Sequence, residues 1–192
     1  VCLLSRLCWV FFVLFDYKNH LAQHGFGRTS TWQIRYQNES NVGLRLISTA
    51  KGYENVEWLL DYSLPNENEA VATLTVCNYG DASVRTSPGF HPYFPAVGTQ
   101  FDFNGAPYDA DYIAHTEFVA SPSDTHVAFD GLKLDIRTQN LPVYALWSDR
   151  NGQYTCAEPT AEGNAFLSPA RGGQFVSGHG KKHYGMKIRL IA

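Results

Sequence analysis

What this sequence is short of narrows the field before any motif is read. No stretch carries convincing helical periodicity, and no apolar run approaches the roughly 20 residues that span a bilayer. The longest, Leu7–Phe15, has nine. None of the four cysteines, Cys2, Cys8, Cys77 and Cys156, forms a close CxxC pair or a metal-finger spacing, so neither a disulfide framework nor a bound metal is expected. Charge runs are missing as well. The 15 basic and 18 acidic residues are scattered along 192 positions, for a net charge of −3. A nucleic-acid surface or a membrane patch is therefore not expected, and a neutral or weakly anionic small molecule fits better. No internal repeat or linker is visible, and the length suits one domain with a substantial core.

What the chain does have is β-forming material. Aromatics make up 14% of it, sixteen glycines punctuate it, and strand-like segments lie between Gly, Asn and Asp turns. The spacing predicts strands over Thr31–Tyr36, Gly43–Thr49, Glu57–Ser63 and Ala70–Asn78, with Leu64–Asn68 as a turn. Further strands are predicted over Gln100–Phe103, Thr116–Ala120, Leu132–Arg137, Val143–Trp147, Gln153–Ala157 and Met186–Ile191, with Ser121–Thr125 as a polar loop. Along Ala70–Cys77 one face is wholly apolar and the other mixed, as in a sheet lying on another sheet. The expectation is all-β: a large sandwich of antiparallel sheets. Cys77 and Cys156 fall inside apolar runs, where a reduced cysteine acts as a small buried hydrophobe, which favours a reducing, cytoplasmic setting.

The amino-terminal segment, residues 1–22, reads as distinct from a main domain at 23–192. Arg6 and Leu7–Phe15 have the length of a signal-peptide core, but Asp16-Tyr17-Lys18-Asn19 stands where small cleavage-site residues belong. A buried strand or short helix covering a sheet edge is the alternative. The chain opens on valine, and its beginning reads as incomplete.

Two segments and one later residue carry the chemistry. In Gln153–Glu158 the strand period sets Tyr154, Cys156 and Glu158 on one face. Glu158 thus ends an apolar row, and Pro159 is expected to stop the ladder there and leave the carboxylate partly desolvated at a strand end. Such a group suits a general base; the plain alternative is a solvated glutamate before a turn. His91, in Gly89-Phe90-His91-Pro92-Tyr93-Phe94, is held extended by the following proline and can serve as an acid at neutral pH, or it is a buried histidine satisfied by a carbonyl. His24-Gly25-Phe26-Gly27-Arg28 lets the backbone approach a ligand, or is a tight turn.

Together, His24–Arg28, Gly89–Phe94 and Cys156-Ala157-Glu158-Pro159 resemble, in order and separation, the signatures of the aldose 1-epimerase (galactose mutarotase) family, including the branch that holds hexose-6-phosphate epimerases. The resemblance runs from about Gln23 to the C-terminus. It implies a cofactor-independent isomerase with a mutarotase-like β-supersandwich, lacking some amino-terminal strands and an arginine that sits there. The substrate would be a sugar. Glu158 would take the proton of the anomeric hydroxyl and His91 would protonate the ring oxygen, the two separated by the width of a pyranose ring. His24 would contact hydroxyls or the ring oxygen, Arg28 would bind hydroxyls or, in the phosphate branch, a phosphate, and Phe26, Tyr93 or Trp147 would line the pocket. An aspartate that orients the sugar would be Asp109 or Asp111, and Asp109 is taken as the candidate. Gly27 departs from the alanine usual in this branch. Two other functions stay open: a hexose-6-phosphate epimerase drawing on Arg28 and Arg85, and a non-catalytic carbohydrate-binding relic.

Overall fold

The computed structural model describes residues 9–13, 25–95, 100–129, 131–149, 154–163 and 173–191. Its strands are β1 (Trp9–Val13), β2 (Gln33–Gln37), β3 (Asn41–Ile47), β4 (Val56–Asn66), β5 (Glu69–Asn78), β6 (Val84–Arg85), β7 (Pro88–Pro95) and β8 (Gln100–Phe103). They continue as β9 (Ala106–Asp109), β10 (Glu117–Ala120), β11 (Asp124–Phe129), β12 (Leu132–Gln139), β13 (Val143–Ser148), β14 (Tyr154–Thr160), β15 (Phe175–Val176) and β16 (Lys181–Ile191). A single short helix, α1 (Ala110–Ile113), is found among the described residues.

The strands form a nine-stranded sheet in the order β2-β3-β4-β5-β16-β12-β11-β8-β9, a five-stranded sheet β1-β7-β14-β13-β10 and a small β15-β6 ribbon. Pairing is antiparallel throughout. Alternation drives the layering. In β5, Ala70, Ala72, Leu74 and Val76 are buried while Val71, Thr73 and Thr75 are half-buried, so one face is spent on the core. Trp58, Leu74, Tyr184 and Ile188 of the large sheet share one hydrophobic cluster with Phe90, Phe94, Tyr144 and Leu146 of the small one. Ring pairs cross the interface, Phe94 to Phe129 at 5.6 Å and Phe103 to Tyr144 at 5.0 Å.

Several elements differ from the sequence expectation. The β4–β5 hairpin is tighter than Leu64–Asn68 suggests: β4 runs through Pro65, and a register shift between Ser63 and Asn66 absorbs the proline, which has no N–H to give to a ladder. β11 begins inside the predicted polar loop, with Thr125, Val127 and Phe129 buried and Asp124 and His126 exposed. β14 does not stop at Pro159 but continues to Thr160, with Pro159 opposite Tyr144 and Thr160 opposite Val143. Within the apolar amino-terminal run, β1 pairs with β7 along the sheet edge, setting Val10 opposite His91 and Phe12 opposite Gly89. The remainder of residues 1–22 lies outside the described residues.

Candidate active site

The site forms where β7 and β14 part. Their ladder holds from Tyr154–Pro95 through Cys156–Tyr93, lapses for three positions, and resumes at Thr160–Gly89 in unchanged register. Two residues in the lapse, Pro92 and Pro159, have no backbone donor, so bonds that would bridge the strands there cannot be made. The register carried across the lapse sets His91 directly opposite Glu158. Period-two alternation then puts His91, Tyr93, Cys156 and Glu158 on one face of the sheet, and Phe90, Phe94 and Ala157 on the core-facing side. β13 adds Trp147, paired across from Cys156, and Ala145, paired across from Glu158.

The two candidate groups touch. His91 Nε2 lies 3.1 Å from Glu158 Oε1, with side chains only 6% and 11% exposed. They occupy one place, but the ring-wide gap expected between them is absent: adjacent strands bring opposite residues within side-chain contact when the ladder register is kept. Burial pushes the Glu158 carboxyl up to about 8, because an ionised carboxylate loses hydration there. Glu158 therefore holds its proton more tightly than a solvated carboxyl does, within hydrogen-bond distance of the His91 imidazole.

Aromatic rings frame the pair. Tyr93 stacks on the His91 imidazole, centroids 4.4 Å apart and planes 13° from parallel. Trp147 meets the imidazole edge-on at 6.3 Å, and Tyr154 closes against both Tyr93 at 5.0 Å and Trp147 at 5.6 Å. Burial raises the Tyr93 phenol to about 12, while the positive charge of Arg28 pulls the other way. Arg28, exposed on the turn after Gly25, is thus within electrostatic reach of the site's aromatic wall.

That turn is built to be rigid. Gly25 is buried at φ 66°, a conformation side chains resist. The amides of Thr29 and Ser30 both donate to the Phe26 carbonyl, and Trp32 Nε1 donates to the Gly27 carbonyl at 2.9 Å. Phe26 does not join the site's rings. Its ring packs on Tyr53 at 5.4 Å and Trp58 at 5.6 Å, so its apolar area anchors the turn to the large sheet. His24 lies outside the described residues.

Two other candidates have structural partners. Asp109 is exposed at the end of β9, where its carboxylate caps α1 by accepting from the Asp111 amide at 2.8 Å; a short polar side chain before a helix commonly takes that role. Arg85 binds Glu162 at 2.8 Å in a half-buried ion pair, and its carbonyl accepts from the Tyr53 hydroxyl at 2.8 Å. It is not the spare cation that the sequence suggested. Tyr154 and Cys156 are the site residues that sequence reasoning passed over, although the strand period had already put both on Glu158's face.

The architecture defines a class: a galactose mutarotase-like β-supersandwich. The galactose mutarotase related enzyme from Lactobacillus acidophilus superposes with a TM-score of 0.75 at 15% identity, over 97% of this chain and 83% of that one. A galactose mutarotase-like protein from Lactobacillus casei ATCC 334 gives 0.75 at 15% identity, over 96% and 85%. The Slr1438 protein of Synechocystis sp. PCC 6803 gives 0.71 at 19% identity, over 96% and 77%. At such identities the likeness speaks for the fold alone. No curated protein matches the sequence. The aldose 1-epimerase family profile matches residues 6–145, and the chain belongs to that family. The matched stretch takes in β1, the Arg28 turn and His91, and it ends before Glu158.

Proposed function

We propose that the chain is an aldose 1-epimerase that interconverts the α and β anomers of a free hexose, with His91 and Glu158 as its proton-transfer pair. The observation that carries this is their direct, buried contact at 3.1 Å. The hydroxyl oxygen and the ring oxygen of a sugar are both bonded to the anomeric carbon, so an acid and a base one hydrogen bond apart can reach both from one side, and a ring-wide separation is unnecessary.

In ring opening, ionised Glu158 takes the proton from the anomeric hydroxyl while protonated His91 gives its proton to the ring oxygen. The bond from C1 to the ring oxygen breaks as the C1 carbonyl forms. Rotation about the C1–C2 bond presents the other carbonyl face, and reclosure with the roles exchanged yields the opposite anomer. Tyr93 and Trp147 offer apolar ring surface to the sugar's C–H face. Arg28 and His24 are assigned to the sugar's hydroxyls, and Asp109 stays with them as a candidate only if a sugar draws it from its cap.

A free hexose is preferred over a hexose phosphate because Arg85, one of two cations available to a phosphate, is already neutralised by Glu162. Polarimetry on fresh α-glucose and α-galactose, with glucose 6-phosphate alongside, tests this choice. Faster exchange of the phosphate would favour the phosphate branch, and exchange no faster than buffer, with sugar still bound, would make the chain a binding relic. Positioned acids and bases contribute about 10²–10⁴-fold each. Glu158→Gln and His91→Asn should therefore each slow exchange at least about a hundredfold, on the order of 3 kcal/mol, with the loss in kcat more than in KM. An equally active Glu158→Gln chain would end the proposal.

A further inference from the structure

The proton-transfer pair has a third neighbour that the mechanism does not use. Cys156 stands two residues before Glu158 on β14, on the same face, and is fully buried. One donor atom each from His91, Cys156 and Glu158 lie within 4.8 Å of one another. We propose that these three side chains form a binding site for a soft divalent transition-metal ion of the zinc and cobalt type, which sits beside His91 and Glu158 and so competes with sugar chemistry at the same spot.

The donor set selects the ion. A thiolate and an imidazole favour zinc, cobalt or cadmium over magnesium or calcium, which prefer oxygen. Bonds of about 2.0–2.3 Å put donors about 3.3–3.8 Å apart around a tetrahedral ion, so the cluster has to draw in by about an ångström. Rotations at the ends of the side chains supply this, since His91 Nε2 and Glu158 Oε1 are already 3.1 Å apart. Charge also balances. The entering cation displaces the thiol proton and binds Glu158 as carboxylate and His91 as neutral imidazole, so two negative ligands and one neutral ligand meet two positive charges. A neutral cluster is what a buried site tolerates. Three protein donors leave one coordination position for water or a sugar hydroxyl.

The test reads binding directly, so it stands whether or not sugar is turned over. Co²⁺ titrated into the full chain should produce the near-ultraviolet thiolate-to-cobalt charge-transfer band, saturating at one ion per chain, and Mg²⁺ in excess should not reduce it. Replacing Cys156 with alanine should abolish the band, whereas replacing Cys2 and Cys8 with alanine should leave it intact. No band, or a band that survives in folded Cys156→Ala, overturns the proposal. Should Cys156→Ala fail to fold, Glu158→Gln keeps the side-chain volume and carries the same decision: weakened Co²⁺ binding supports the site, and unchanged affinity overturns it.

Discussion

Glu158 is a carboxyl whose environment works against its charge, and two pH effects follow. Its pKa rises from an ordinary 4.5 to about 8 on folding because of burial, so the folded chain holds that proton more tightly than the unfolded one. Stability from this group is complete below about pH 4.5, falls as pH rises through the interval, and levels off above about 8. Chemical denaturation at about pH 5 and about pH 8 should show this decline in the natural chain and a smaller one in Glu158→Gln. Catalysis follows a different rule, because the pair works with one proton. The rate should fall when a second proton is added at low pH, and again as the last one leaves beyond about 8. A kcat/KM that climbs without limit through that region would contradict a pair that works with one proton. Tyr93 acts through His91: its stacked ring fixes the imidazole plane. Tyr93→Leu should lower kcat by a factor of about 2–10, the worth of about 0.5–1.5 kcal/mol for an aromatic pair, while Tyr93→Phe keeps the ring and restores the rate. At this scale the sequence was informative where alternation governs, as in the shared face of Tyr154, Cys156 and Glu158. It was silent on distance, since the contact of His91 with Glu158 depends on a strand register that no local pattern encodes.

Among the elements, β7 and β14 decide whether there is a site at all. Gly89 marks the position where their ladder resumes, and a Cβ there would meet Thr160 Cγ2 at 3.0 Å and the Pro159 carbonyl oxygen at 3.1 Å. Gly89→Ala should therefore push the strands apart and cost about 1–3 kcal/mol, as overpacking does, read as a lower denaturant midpoint together with reduced exchange rate. Legibility of the strands followed the same physics. β8 was readable to the residue at Gln100–Phe103, and β5 followed from its wholly apolar face. β7 is punctuated by Pro88, Pro92 and Pro95, and prolines argue against a central strand. It is nonetheless central, because Pro92 falls where the ladder to β14 lapses. β9 carries no alternation that stands out, having only Tyr108 half-buried, and its place was set by pairing with β8.

Across the whole molecule, the core between the two sheets bears the load, and among the described residues no helix is long and apolar enough to cross a membrane. Phe94 is a fair probe of that core, since it is 1% exposed and meets Phe129 of the opposite sheet. Phe94→Ala should cost about 3–5 kcal/mol. Because its neighbour Tyr93 points to the other face, the loss should appear in the unfolding midpoint before it appears in KM. The pairing of β1 with β7 has a consequence in time. Val10 waits for His91 while the intervening β2–β5 meander can close by local hairpins, and contacts between distant segments form late because long loops must close first. During synthesis the apolar β1 segment emerges before β2–β5 and finds its partner only after that meander has been made. The strand that carries His91 therefore gains its outer neighbour late, and the interval before that is when the nascent chain is most exposed to sticking to others of its kind.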